Sequence, residues 1–328
     1  MSKLQTTFMG LKLKSPIIAA SCGLTNKIAD LKAIEQSGAG AIVLKSLFEE
    51  EIVTELEQEQ NKMHSESYLY PETMEFYENY DTKDTLTNYL KLIYEAKQQI
   101  SIPVIASINC VTSHNWFYFA QTLQDAGADA LELNIFVLPS DINKKGNDYE
   151  EIYFQIAQTL KAQITIPWAL KIAPYFSGMS SMIKQLSESG ASGLTLFNRF
   201  YAVDFDIDKL ETIPSHTFSK ESDYLTTLRW IGLTSAHVSC DLSASTGVYN
   251  GQTAIKMLLA GAKTVQVAST LYKNGIKQIA DINHEIETWM QQKNFESIDQ
   301  FRGLLAHSPH SNPAGYLRLQ FMKHFSEK

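Results

Sequence analysis

Ser239–Leu271 reads SCDLSASTGVYNGQTAIKMLLAGAKTVQVASTL. One apolar run ends in Ala244, Ser245, Thr246 and Gly247, a helical pattern follows, and a second apolar run, Thr264–Val267, ends in Ala268, Ser269 and Thr270. The order is strand, small-residue turn, helix, strand, small-residue turn. Two neighbouring parallel strands that both end this way offer backbone N–H groups and hydroxyls to one anion. In a (β/α)8 barrel the loops after strands seven and eight commonly form such a phosphate site. The stretch therefore predicts an α/β chain of TIM-barrel type, arranged around a phosphate-bearing cofactor.

Working outward, six further compact apolar runs precede it: Pro16–Ser21, Ala41–Ser46, Pro103–Ile108, Ala130–Ile135, Pro167–Ile172 and Gly193–Asn198. With His237–Ser243 and Thr264–Val267 they make eight. Helical patterns lie between them at Lys27–Gln36 (capped by Asn26, stopped by Ser37-Gly38), Tyr89–Gln99, His114–Ala126, Tyr149–Ala162, Met179–Ser189 and Leu225–Ile231. Ile276–Gln292 closes the barrel. Short apolar runs alternating with helices are the mark of repeated βαβ units in one parallel sheet. An open doubly wound sheet is the alternative, and the lack of a GxGxxG after the first strand weighs against a dinucleotide-binding version of it.

Thr6–Lys14 alternates around Gly10 as a short hairpin and is placed at the barrel bottom as a plug. The inserted stretches are an acidic helix at Phe48–Met63, a tyrosine-rich segment at Ser65–Asp81 and an irregular polar insertion at Arg199–Ser222. The second is either a substrate lid or a subunit contact, since long loops of this kind are commonly functional. Residues 297–328 read as an appended helix and polar tail. The expected organisation is one barrel domain over 1–304 followed by a tail over 305–328.

The 328 residues carry a formal net charge of −8 and 44% hydrophobic residues. That is enough apolar material for a large core, and without a basic stripe it excludes nucleic acid as a general partner. Cys22, Cys110 and Cys240 are far apart, so they form neither a disulfide framework nor a metal-ligand spacing; no metal is expected. No apolar run approaches the roughly 18 residues that span a bilayer. The reading is a cytoplasmic protein away from membranes.

Barrel chemistry sits at the C-terminal strand ends. These are Ala20 and Ser21; Lys45 and Ser46; Ser107 and Asn109; Glu132 and Asn134; Lys171; and Asn198. Lysines and amides sharing one mouth are costly to bury without partners. They suit a flat polar ring with carbonyls and an electron-rich edge, and a lysine near the pyrimidine end of a flavin stabilises its anionic reduced form. Together with the phosphate turns, this describes a site for flavin mononucleotide (FMN). Each residue alone has a plainer reading: a solvated strand end for a lysine, turn chemistry for an asparagine, and a buried ion pair for Glu132.

PIIAAS, VLKS, LELN, ALKIAPYF and STGVYNGQTAIKMLLAGA followed by VQVAST resemble the dihydroorotate dehydrogenase family of FMN-dependent barrels, over about Thr6 to Leu304. The resemblance implies that Ala20, Ser21, Lys45, Ser46, Ser107, Asn134, Lys171 and Asn198 line the flavin or the bound pyrimidine. Of these, Lys45, Asn134 and Asn198 would also touch substrate. Ser245, Thr246, Gly247, Ala268, Ser269 and Thr270 would hold the phosphate region. It further implies oxidation of dihydroorotate to orotate in pyrimidine biosynthesis, with hydride passing to flavin N5. The expected partners are a small-molecule substrate and a soluble electron acceptor, and the expected assembly is a homodimer.

Two departures bear on function. The family follows its fourth-strand asparagine with a serine- or cysteine-containing run that supplies the catalytic base and a substrate-binding amide. Here that run is Asn134-Ile135-Phe136-Val137-Leu138-Pro139-Ser140-Asp141, which puts Val137 at the base position and Leu138 at the amide position. The family's Asn-Ser-Met-Gly-like grip on orotate has no match in Ser65–Asp81. Ser140 and Tyr175 are the substitutes retained as base, beside Tyr68, Tyr70, Cys22 and Cys110, while His114 is read as a helix start. Two alternatives follow: a flavin oxidoreductase acting on another cyclic amide or conjugated carbonyl compound, and a flavin-binding protein without turnover.

Overall fold

The computed structural model describes residues 3–52, 54, 85–110, 115–199, 203–215 and 218–307. Strands β1 (Thr6–Phe8) and β2 (Leu11–Leu13) pair antiparallel, with Phe8 opposite Leu11. The connecting Met9 and Gly10 have φ of 53° and 77°, the left-handed pair that a two-residue type I′ turn requires. Glycine adopts this conformation freely; Met9 is kept there by burial and by its N–H donating to Asp241 Oδ2 at 3.0 Å. Phe8, Met9 and Leu13 pack on Ile18, Ala41, Val43, Ile105, Ala130 and Ala169. The hairpin closes the bottom of the barrel, as its sequence suggested.

The barrel itself comprises β3 (Ile17–Ala19), β4 (Ala41–Val43), β6 (Val104–Asn109), β7 (Ala130–Asn134), β8 (Trp168–Ile172), β9 (Gly193–Leu196), β12 (Asp241–Ala244) and β13 (Thr264–Val267). All neighbours are parallel in the order β4-β3-β13-β12-β9-β8-β7-β6, and β4 pairs back onto β6 through Ile42 with Val104 and Val43 with Ile105. That last pairing closes eight strands into a (β/α)8 barrel and rules out the open sheet. A two-residue strand, β5 (Leu47–Phe48), extends β6 at the mouth.

The surrounding helices are α1 (Ile28–Gln36), α2 (Thr85–Gln99), α3 (Asn115–Asp125), α4 (Gly146–Gln163), α5 (Met179–Glu188), α6 (Tyr224–Thr234), α7 (Gly251–Leu259), α8 (Ser269–Asn274) and α9 (Gln278–Gln292). Side chains alternate along each strand. Ile17, Leu131, Leu133, Leu170, Leu194 and Val265 therefore join the helices in one continuous core. The other set points inward and divides into two tiers. The lower is apolar and meets the hairpin; the upper carries Ser107, Glu132, Lys171, Thr195, Ser243 and Gln266, all buried. Gly193 begins β9 because a Cβ there would stand 3.0 Å from the Phe8 ring.

Several local expectations are corrected. Helix α1 is preceded by Lys27 and takes no side-chain cap from Asn26, whose backbone still lies in the preceding turn. The strand expected at His237–Ser243 begins at Asp241, because His237 N–H closes a turn onto Thr234 O at 2.8 Å. The insertion expected to be irregular contains a hairpin, β10 (Val203–Asp206) with β11 (Glu211–Pro214). It is exposed at Val203, Phe205, Ile207 and Leu210, and its polar turn-rich sequence hid the two short strands. Residues 297–307 form no α-helix; a 3-10 turn at Ile298–Gln300 leads into turns that bond to the barrel helices, with Gly303 N–H to Leu258 O and Leu305 N–H to Leu259 O. Buried Phe301 explains the choice, since it packs edge-to-face on Trp289 and against the tilted ring of Phe295. Of the helix expected at Phe48–Met63, residues 49–52 are helical. Ser65–Asp81, with Tyr68 and Tyr70, lies outside the described residues, as do His114 and the tail from 308 onward.

Candidate active site

A cavity of about 510 Å3 opens at the C-terminal mouth of the barrel, within the size range of small-ligand clefts. Its walls come from the ends of β3, β4, β7, β8, β9, β12 and β13. Ala20, Ser21, Lys45, Ser46, Asn134, Lys171, Asn198, Ser245, Thr246, Gly247, Ala268 and Ser269 line it. Two expected cofactor residues stand behind the wall. Ser107 is fully buried, its Oγ 2.7 Å from Ser46 Oγ, which in turn lies 3.1 Å from Ser21 Oγ. Thr270 is also fully buried and donates to Tyr249 O at 3.2 Å. Tyr89 anchors the serine chain from outside by accepting from Ser107 N–H at 2.9 Å and donating to Ser107 O at 3.1 Å; burial pushes its phenol up.

The floor is ionic. Lys171 Nζ lies 3.2 Å from Glu132 Oε1, and both side chains are buried. The same ammonium donates to Gln266 Oε1 at 3.2 Å, while Thr195 Oγ1 donates to Glu132 Oε2 at 2.9 Å. Above it, Asn198 Nδ2 donates to Asn134 Oδ1 at 2.6 Å. Lys45 reaches the cavity from the β4 end and contacts Glu51 at 3.4 Å. Arg199, next to Asn198, adds a third cation and stands 3.9 Å from Asp223. Among the described residues lining the cavity there is no aspartate, glutamate or histidine. The ionic floor is neutralised from below, and the walls present cations, amides and hydroxyls.

The loop after β12 is held in an unusual backbone state. Thr246 and Gly247 have φ of 77° and 75°. A β-branched residue in that region is strained, and Thr246 is stabilised by donating from Oγ1 to Phe197 O at 3.1 Å. A side chain at Gly247 would collide with the backbone nitrogen of Tyr224. Glycine at 247 lets the two backbones pass this closely. Beside the turn after β13 the rim is aromatic: the rings of Phe218 and Tyr272 lie with centroids 5.3 Å apart, tilted by 36°. Burial raises the Cys22 thiol above its ordinary range although Tyr272 hydrogen-bonds to it, so at neutral pH it is a thiol and a poor base.

The other base candidates lie elsewhere. Ser140 is exposed in the loop after β7, its N–H bonded to Leu138 O at 2.8 Å. Tyr175 is half exposed beyond β8, and neither lines the cavity. Cys110 is buried outside it, with its thiol pushed up by burial. Val137 packs against the core.

Sequence reading missed Gln266, Thr195, Arg199, Phe218 and Tyr272. The first two carried a signal. Leu131-Glu132-Leu133, Leu170-Lys171-Ile172, Leu194-Thr195-Leu196 and Val265-Gln266-Val267 are the same apolar–polar–apolar triplet near the ends of four strands. Strand alternation sends all four polar residues inward, near the mouth of the barrel.

The fold and its cationic, amide-rich mouth define a (β/α)8-barrel enzyme. A profile of the family described as dihydroorotate dehydrogenase matches residues 3–290. The chain belongs to that family and is an oxidoreductase of the kind acting on CH–CH bonds. It is similar to the "Dihydroorotate dehydrogenase B (NAD(+)), catalytic subunit" of Thermoplasma volcanium, 23% identical over 93% of this chain and 99% of the relative. The protein of that name from Methanothermobacter thermautotrophicus is 24% identical over 92% and 98%, and that from Methanocella arvoryzae 26% over 90% and 95%. No helix among the described residues is long and apolar enough to cross a membrane.

Proposed function

We propose that the cavity binds FMN and that the protein oxidises dihydroorotate to orotate. One observation carries the cofactor: a single cavity joins a buried, hydrogen-bonded lysine to a strained small-residue turn at the last two strands, with no described carboxylate on its walls. Lys171, Asn134 and Asn198 would hold the pyrimidine end of the flavin, with Ala20, Ser21 and Ser46 along the ring. Ser245, Thr246, Gly247, Ala268 and Ser269 would take the phosphate, while Ser107 and Thr270 support these walls from behind. Lys45, Asn134 and Asn198 would also meet the substrate.

When bound, FMN supplies the hydride acceptor. The chain's own part is to orient and to balance charge. Lys171 presents a fixed ammonium where negative charge accumulates. The Asn134–Asn198 pair fixes two amides against rotation, leaving the Asn134 NH2 and the Asn198 carbonyl for a cyclic amide. Phe218 and Tyr272 cover the rim and exclude water. Residue 137 takes no proton, so the proton from substrate C5 leaves by another route.

The family, the cysteine usage and the net charge support a cytoplasmic enzyme of pyrimidine biosynthesis, working as a homodimer with a soluble acceptor. The test is anaerobic titration of the purified protein with dihydroorotate. The oxidised-flavin band should be present and should bleach stoichiometrically. A colourless protein would sink the cofactor assignment. Bleaching by other donors but never by dihydroorotate would sink the substrate.

A further inference from the structure

We infer that Glu132, Gln266 and Thr195 act as positioning residues that hold Lys171 and fix the net charge beneath the cavity, and so set the reduction potential of the flavin bound there. This rests on the FMN reading above.

The four side chains come from four strands and meet inside the barrel, Lys171 reaching down from the strand between those of Glu132 and Thr195. An ammonium has three N–H donors. Lys171 commits two of them downward, to Glu132 Oε1 and Gln266 Oε1, both at 3.2 Å. It also lines the cavity, so its remaining donor faces the ligand space. Gln266 is the hinge of the set. Its carbonyl takes the lysine, while its NH2 serves Glu132 Oε2 and lies 3.2 Å from Thr195 Oγ1. Thr195 donates to the same carboxylate oxygen at 2.9 Å. Rotating any one member orphans a buried donor or acceptor, which is costly away from water. Glu132 and Gln266 are each 1% exposed, Thr195 is 0% and Lys171 7%.

The electrostatic consequence is specific. Taken as charges, the layer holds one carboxylate and one ammonium. Charges in a poorly solvated interior act strongly on a neighbour that itself gains negative charge. Glu132 therefore offsets part of the pull of Lys171 on a reduced pyrimidine ring. Gln266, neutral and able both to donate and to accept, orients the pair without adding charge.

The experiment compares wild type with Glu132→Gln, Gln266→Glu, Gln266→Met and Thr195→Val. For each, FMN stoichiometry is measured, then the midpoint potential by anaerobic equilibration with reference dyes across a pH series. Glu132→Gln removes a negative charge and should raise the potential. Gln266→Glu adds one and should lower it over the pH range in which the new carboxylate is charged. Gln266→Met changes no charge and should shift the potential less than Gln266→Glu. Thr195→Val, also uncharged, should shift it least. If Glu132→Gln does not fold, the two Gln266 variants still decide the sign. Potentials that do not move, or that move the same way in Glu132→Gln and Gln266→Glu, overturn the inference while leaving FMN binding intact. A wild-type protein that binds no FMN overturns the cofactor reading and the inference together.

Discussion

Asn198 Nδ2 donates to Asn134 Oδ1 at 2.6 Å, joining the end of β9 to the end of β7 over the strand that carries Lys171. The two amides orient one another. Replacing either with alanine leaves its partner without the bond and free to rotate, at a cost of about 1–3 kcal/mol. Asn198→Ala should therefore lower kcat/KM for dihydroorotate by roughly tenfold or more, measured on FMN-saturated protein. In a double-mutant cycle with Asn134→Ala the two losses should be non-additive. Additive losses in steady-state kinetics would show that the pair does not act as a unit.

The family resemblance assigns Val137 to the position of the base. A positioned base contributes typically about 10²–10⁴-fold. Val137→Ser or Val137→Cys is expected to speed flavin reduction by dihydroorotate at least about tenfold, read by anaerobic stopped flow. An unchanged rate would mean that the proton already leaves through an equally effective group.

The Lys171–Glu132 pair makes a prediction about stability. Lys171→Met alone strands a buried carboxylate, and breaking a buried pair this way costs about 3–5 kcal/mol. Adding Glu132→Gln should recover most of the loss in urea unfolding, because the remaining groups are neutral. Failure of the double variant to recover would indicate that packing of the lysine stem, rather than the charge, supplies the stability.

Gly247→Ala forces a Cβ toward the Tyr224 backbone at a φ of 75°. The strain is on the order of 1–3 kcal/mol. If this turn grips phosphate, FMN affinity should fall while affinity for riboflavin, which lacks phosphate, stays nearly constant. Equal losses for both would move the phosphate elsewhere.

Alkaline pH should destabilise the fold. Burial pushes the Cys240 thiol from about 9 up to about 12, with nearby Asp241 adding to the rise. The folded state therefore keeps a proton that the unfolded state releases. Stability is full below pH about 9 and declines towards pH 12, by at most about 1.4 kcal/mol per pH unit from this group. Cys240→Ala should flatten that decline in denaturant titrations at pH 8 to 11; an identical slope would remove Cys240 as its source.

Sequence alone determined the barrel and the small-residue turns that end its last two strands. Eight apolar runs alternating with amphipathic helices admit few other packings, and Ser245–Gly247 and Ala268–Thr270 follow two of those runs directly. Local sequence carries such features because strands and turns are set by nearby residues. Tertiary structure decided everything that depends on strands meeting across the barrel. Closure of β4 onto β6, the Asn134–Asn198 bond and the layer of Glu132, Lys171, Thr195 and Gln266 join residues up to 134 positions apart. Thr195 and Gln266 look unremarkable in the sequence, because a single polar residue between two aliphatics also describes a half-exposed strand. Only barrel closure turns those positions inward, where burial without water obliges each polar atom to find a partner. The opening stretch, Ser239–Leu271, supplied both a local turn and a buried Gln266; the turn was legible from its residues, the glutamine only from the strands around it.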